Sequence, residues 1–143
     1  TLHDLWAKCL ALRDASGHTL LLITLDLVGI DRETSQTIVG RVAQQHGLPR
    51  EAIALACSHT HTGPVVGQNL RSMYFLNDEQ SALVDAYTAW CIDRAVEAVE
   101  PEVRTGNQLF VALGGHMAME ARRILLPTCH RHPFVKMQFA RAA

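Results

Sequence analysis

Two histidines one residue apart, His59 and His61 in Ser58-His59-Thr60-His61-Thr62-Gly63-Pro64, are the side chains of this sequence best suited to chemistry. Neutral imidazole is the commonest zinc ligand, and residues i and i+2 of an extended backbone face the same way, so both rings can reach one ion. Gly63 and Pro64 are turn formers and are expected to end the strand and reverse the chain. Ser58, Thr60 and Thr62 are placed to hydrogen-bond groups around such a site. The bland alternative is a polar strand end whose histidines only form hydrogen bonds.

Other sources of a His-x-His pair fit less well. A metallo-β-lactamase pattern continues with Asp-His, whereas here Thr62-Gly63-Pro64 follows. An amidohydrolase barrel needs about 250 residues, and this chain has 143. A cupin needs a strand-rich double sheet, which conflicts with the two helices read below. His3, His18 and His46 lie near a terminus, a turn and a helix end, where solvated or capping roles are expected. His116, His130 and His132 fall in a segment of no clear period. Cys9, Cys57, Cys91 and Cys129 form no CxxC pair and read as buried free thiols.

The elements that must position the pair follow from local patterns. Leu5 to Arg13 and Thr19 to Val28 are apolar runs separated by the turn formers Asp14-Ala15-Ser16-Gly17, the mark of a β-hairpin. The second run is apolar on both faces, as in a central strand covered on both sides. Its one charge, Asp26, therefore needs a buried polar partner. Asp31 can cap a helix over about 32 to 46, with Ile38, Val39 and Val42 on one face and Gly47 with Pro49 as the stop. Ile53 to Cys57 is a short buried strand, so strand, helix, strand implies a parallel crossover.

A second helix spans about Asp78 to Val99, with Leu83, Val84, Tyr87, Cys91 and Ala95 as an apolar stripe, Trp90 at its edge and Pro101 at its end. Gln108 to Leu113 reads as one more strand. The fold class is α/β, a mixed β-sheet with flanking helices. Residues 1–113 form one partial domain and residues 114–143 a poorly defined tail.

Composition sets outer bounds. Apolar residues make up 48% and charged residues 19%, ordinary for a globular chain. No apolar run approaches the ~20 residues that span a bilayer, so no transmembrane segment is expected. The net charge of -1 argues against a nucleic-acid partner. It is unevenly spread: residues 1–120 hold 8 basic and 14 acidic side chains, residues 121–143 hold 5 basic and none acidic. That abrupt change suits a truncated or aberrantly translated carboxyl end. The sequence opens at Thr1 with no charged region leading into an apolar stretch, so any export signal is expected to have been removed or to lie outside it.

With these elements in place, the order strand, helix, strand, then Ala56-Cys57-Ser58-His59-Thr60-His61-Thr62-Gly63-Pro64 resembles the amino-terminal catalytic domain of the neutral/alkaline non-lysosomal ceramidases. His3-Asp4-Leu5-Trp6-Ala7-Lys8, Leu25-Asp26-Leu27-Val28-Gly29 and Gly47-Leu48-Pro49 are also similar to family segments, so the resemblance covers about residues 3 to 100. It implies zinc-dependent hydrolysis of the amide bond of ceramide, with the ion held by two histidines, a glutamate and a tyrosine. His59 then corresponds to the first zinc ligand, and His61 to the histidine that contacts the reacting amide. The resemblance further implies a secreted or extracytoplasmic protein. Ceramide, another lipid amide or a different N-acyl compound all stay open as substrates.

The resemblance stops near Pro101. Nothing beyond it is similar to the family's second histidine segment, and no glutamate or tyrosine follows Glu120. The tail offers His130, in Thr128-Cys129-His130, as a candidate without a matching surround. The remaining ligands are expected from later chain, and a fragment with one or two ligands is expected to be inactive. The contrasting expectation is a non-catalytic α/β fragment with an incomplete metal site.

Overall fold

A computed structural model describes residues 4–100, 103 and 135–137, the last three as backbone. The sheet begins with β1 (Leu5–Arg13) and β2 (Thr19–Leu25), antiparallel in the register Ala7 with Leu25 through Arg13 with Thr19. Asp14 closes the hairpin by accepting from the main-chain N–H groups of Ser16 and His18 at 2.9 Å each. After α1 (Arg32–His46), β3 (Ile53–Cys57) returns parallel to β2, Leu21 pairing with Ile53 and Leu25 with Cys57. α2 (Asp78–Glu97) follows. The short β4 (Val135–Met137) pairs antiparallel with β1, giving the order β3-β2-β1-β4.

The sheet is mixed with helices beside it, as the α/β pattern required. β4 falls inside the segment expected to be an undefined tail, while the expected strand from Gln108 to Leu113 lies outside the described residues.

Local chemistry explains both helices. The Asp31 carboxylate accepts from Thr34 N–H at 2.7 Å at the start of α1, and Gly47 ends it in the left-handed region at φ 64°. Asn77 and Gln80 form a reciprocal capping box at the start of α2. Ile38, Val39 and Val42 of α1 and Cys91, Ala95 and Val96 of α2 are buried with Leu21, Ile23 and Leu25 of β2. Trp90 sits at the edge of that face, stacked on Tyr87 with ring centres 5.5 Å apart.

Three expectations change here. β2 is not covered on both sides: Leu21, Ile23 and Leu25 face the helices, but Leu20 and Leu22 are 53% and 38% exposed. Both helices pack on one face, so alternation along β2 is that of a sheet with one covered side among the described residues. β3, expected to be a buried strand, is an edge strand in the described sheet with Ala54 and Ala56 exposed. Leu83, placed on the buried stripe of α2, is exposed.

Asp26 lies one residue past the end of β2 and is half-buried. Its carboxylate accepts from Trp6 N–H at 3.1 Å, and its own N–H donates to the Trp6 carbonyl at 3.0 Å. The expected polar partner is therefore main chain, and burial is partial.

Candidate metal centre

The end of β3 is tied to the end of β2 beyond the ladder itself. Ser58 N–H donates to the Leu25 carbonyl and His59 N–H to the Leu27 carbonyl, each at 3.0 Å. At His59 the chain then turns sharply, with φ 59°. The left-handed region costs an L-residue roughly 1–2 kcal/mol, although histidine enters it more readily than most.

This turn corrects the expected geometry. The strand ends at Cys57, six residues before Gly63, and His59 and His61 do not share one side of an extended backbone. Their rings nevertheless meet, with centres 4.9 Å apart and planes at 83°. The left-handed residue brings them together where period-two alternation would have required a longer strand. The Thr60 and Thr62 hydroxyls bond each other at 3.0 Å and stiffen the turn between them.

The His59 ring is oriented by main chain. Its Nδ1 lies 2.7 Å from the Val28 carbonyl oxygen. A carbonyl only accepts, so Nδ1 carries the hydrogen and Nε2 presents its lone pair. A fixed tautomer of this kind is the usual support of a metal-binding histidine. The threonine hydroxyls expected to supply it bond one another, and the Val28 carbonyl does so because parallel pairing sets the end of β2 beside the end of β3.

Both rings border a cavity of about 290 Å³, walled by Val28, Pro64 and Val65 on one part and by Asn69, Leu70, Met73 and Tyr74 on another. The second wall was not foreseen, because residues 65–76 carry no period and no motif. It is held by contacts distant in sequence. Gly67 N–H donates to Thr88 Oγ1 at 2.7 Å, Gln68 N–H donates to the Asp31 carboxylate, and Arg71 bonds the Gly67 carbonyl at 3.0 Å and Asp85 at 2.5 Å. Among the described residues only His59 and Leu70 are non-glycine residues with positive φ, and both border the cavity. Strained backbone concentrates at functional sites because surrounding structure must hold it.

Asp31 serves both α1 and this wall. Partial burial pushes its carboxyl upward, but bonds from Thr34 and Gln68 outweigh that, and it stays below the ordinary value of 3.8. Cys57, at the end of β3, is half-buried and its thiol is pushed upward by that burial. Burial likewise drives the Cys91 thiol up to about 12. Cys9 is in no disulfide and is half-buried, so of the four cysteines expected to be buried thiols only Cys91 is fully buried among the described residues.

The remaining histidines divide as follows. His18 is exposed and pairs with Asp14 at 3.0 Å. His46 departs from the expected solvated helix end: its side chain is 8% exposed, 3.9 Å from Glu100, with no hydrogen bond to Nε2. His3, His116, His130 and His132 lie outside the described residues, as does Cys129.

As a test of fit to zinc, the pair supplies one nitrogen with a fixed tautomer and a second ring in contact with it. Among the described residues no group of three His, Cys, Asp or Glu side chains converges. The residues present thus fit part of a tetrahedral zinc site. No helix of the described residues is long and apolar enough to cross a membrane. Compared with protein-family models, curated proteins and solved structures, the chain gives no match.

Proposed function

We propose that this chain contributes the first histidines of a zinc-dependent amidase similar to the neutral ceramidases, acting on the N-acyl bond of ceramide or a related lipid amide. The observation that carries the reading is the His59–His61 contact beside a cavity, with the Val28 carbonyl holding the His59 tautomer. A zinc ion bound there supplies Lewis acidity toward an amide carbonyl and a water that ionises near neutral pH. His59 would hold the ion through Nε2. His61, on the turn after it, would donate a hydrogen bond to the oxygen of the reacting amide as charge develops on it. Val28, Leu70 and Met73, which line the cavity, would suit an apolar substituent of the substrate.

One further histidine, a glutamate and a tyrosine would come from additional chain. A non-catalytic fragment is the second reading, favoured by the absence of a third converging ligand among the described residues. Zinc content and hydrolysis of an N-acyl sphingoid amide, measured on a protein containing this chain and the rest of its gene product, separate the two. His59→Ala is expected to lose zinc and turnover together. His61→Ala is expected to keep zinc and lose about 10²-fold or more in rate, the scale of a removed oxyanion donor. Full zinc and normal rate in His59→Ala would overturn the assignment.

A further inference from the structure

At the rim of the cavity the chain carries a run of exposed apolar side chains. Met73, Tyr74 and Phe75 are 67%, 45% and 102% exposed, an unusual run for adjacent large side chains. Such contiguous exposure marks an interaction surface more often than chance scatter does. The run is anchored at both ends. Arg71 holds its entry through Gly67 and Asp85, and the Asn77–Gln80 capping box fixes its exit into α2.

Three observations define what it fits. Met73 and Tyr74 also line the cavity, so one apolar surface runs from the outer tip to the histidines. Arg71 is the single basic residue from Gly67 to Gln80 and is paired with Asp85, while the exposed Asp78 and Glu79 follow the tip. The segment therefore offers no unpaired cation to attract an anionic surface. The area is also small: even a fully buried aromatic side chain covers only roughly 150–250 Å², and with Met73 and Tyr74 already partly covered the three together offer less than the ~800 Å² per partner of a stable protein interface. Shallow insertion needs far less area, and aromatic side chains favour the headgroup level of a bilayer.

We propose that Met73, Tyr74 and Phe75 form a tip that inserts into an electrically neutral, zwitterionic lipid surface and brings the cavity mouth to it. This rests on the lipid-amide reading for its purpose, but not for its test. The full chain is floated with phosphatidylcholine vesicles as wild type, Phe75→Glu and Leu20→Glu, the last placing the same charge on the open sheet face. Phe75→Glu is expected to lower the partition coefficient about tenfold or more, since a fully inserted aromatic is replaced by a charge. Leu20→Glu is expected to bind as wild type, and adding phosphatidylglycerol is expected not to strengthen binding. Because Phe75 is wholly exposed, its variant should melt at the wild-type temperature.

Absence of wild-type binding, equal partition of Phe75→Glu, loss of binding in Leu20→Glu, or binding that requires anionic lipid would each overturn the proposal. Phe75-dependent self-association without vesicle binding would identify a protein interface instead and overturn it too. Phe75-dependent vesicle binding by a protein that hydrolyses no lipid amide would leave the tip standing and remove only the amidase reading.

Discussion

Gly67 shows how much of the site depends on single atoms. It adopts φ 58°, and a Cβ there would lie 2.7 Å from Thr34 Oγ1 and closer still to the Asp31 carboxylate. Both the left-handed backbone and the overlap oppose any side chain. Gly67→Ala is expected to destabilise the fold by about 2 kcal/mol, the sum of a strained φ and displacement of a helix cap. Urea unfolding of the variant measures it, and an unchanged midpoint would mean the loop does not approach α1 as described. By contrast Gly63 would place a Cβ at ordinary contact distances from Thr60, Asp26 and Leu5, so its role in the motif is not steric necessity. The turn beside the histidines is made at His59 instead, which a His-x-His pattern does not reveal.

At the scale of elements, Asp31 couples the start of α1 to the cavity wall through Thr34 and Gln68. Its carboxyl is held below 3.8, so the folded state favours the ionised form. The stabilisation is therefore fully present above the unfolded value and is lost as pH falls through the lower folded value. Wild type should lose stability below about pH 3.8 more steeply than Asp31→Asn, which keeps a cap acceptor without the charge. Asp31→Ala should cost about 1 kcal/mol at neutral pH. Urea midpoints followed across that pH range test both, and parallel acid limbs would remove Asp31 from the linkage. This cap was legible in the sequence because an N-cap, an apolar stripe and a closing glycine are all local signals. The start of β3 at Ile53 and the start of α2 at Asp78 were legible for the same reason, whereas the turn that takes the chain out of β3 before Gly63 was not. The open face of β2 was not, since Leu20 and Leu22 are as apolar as the buried Leu21 and Ile23, and only tertiary packing distinguishes them. The wall from Pro64 to Tyr74 was not legible either: its shape is imposed by Asp31, Asp85 and Thr88 from elsewhere in the chain.

For the whole molecule, the site is assembled only in the folded state. The His59 ring is set by a carbonyl 31 residues away, and the second wall by Thr88 and Asp85 of α2 and by Asp31, the cap of α1. An unfolded chain keeps neither arrangement, so an ion that uses the complete site binds the native state alone and shifts the folding equilibrium by mass action. A protein that contains this chain with its remaining ligands should gain about 2.7 kcal/mol when free zinc exceeds the dissociation constant a hundredfold. A chelator should reverse the gain, and His59→Ala should abolish it without lowering the metal-free melting temperature by more than the loss of one exposed hydrogen bond allows. The 143-residue chain, offering two converging histidines among its described residues, should show no comparable shift. Melting curves with and without zinc decide this independently of any substrate. An equal zinc shift in wild type and His59→Ala would place the metal elsewhere in the molecule.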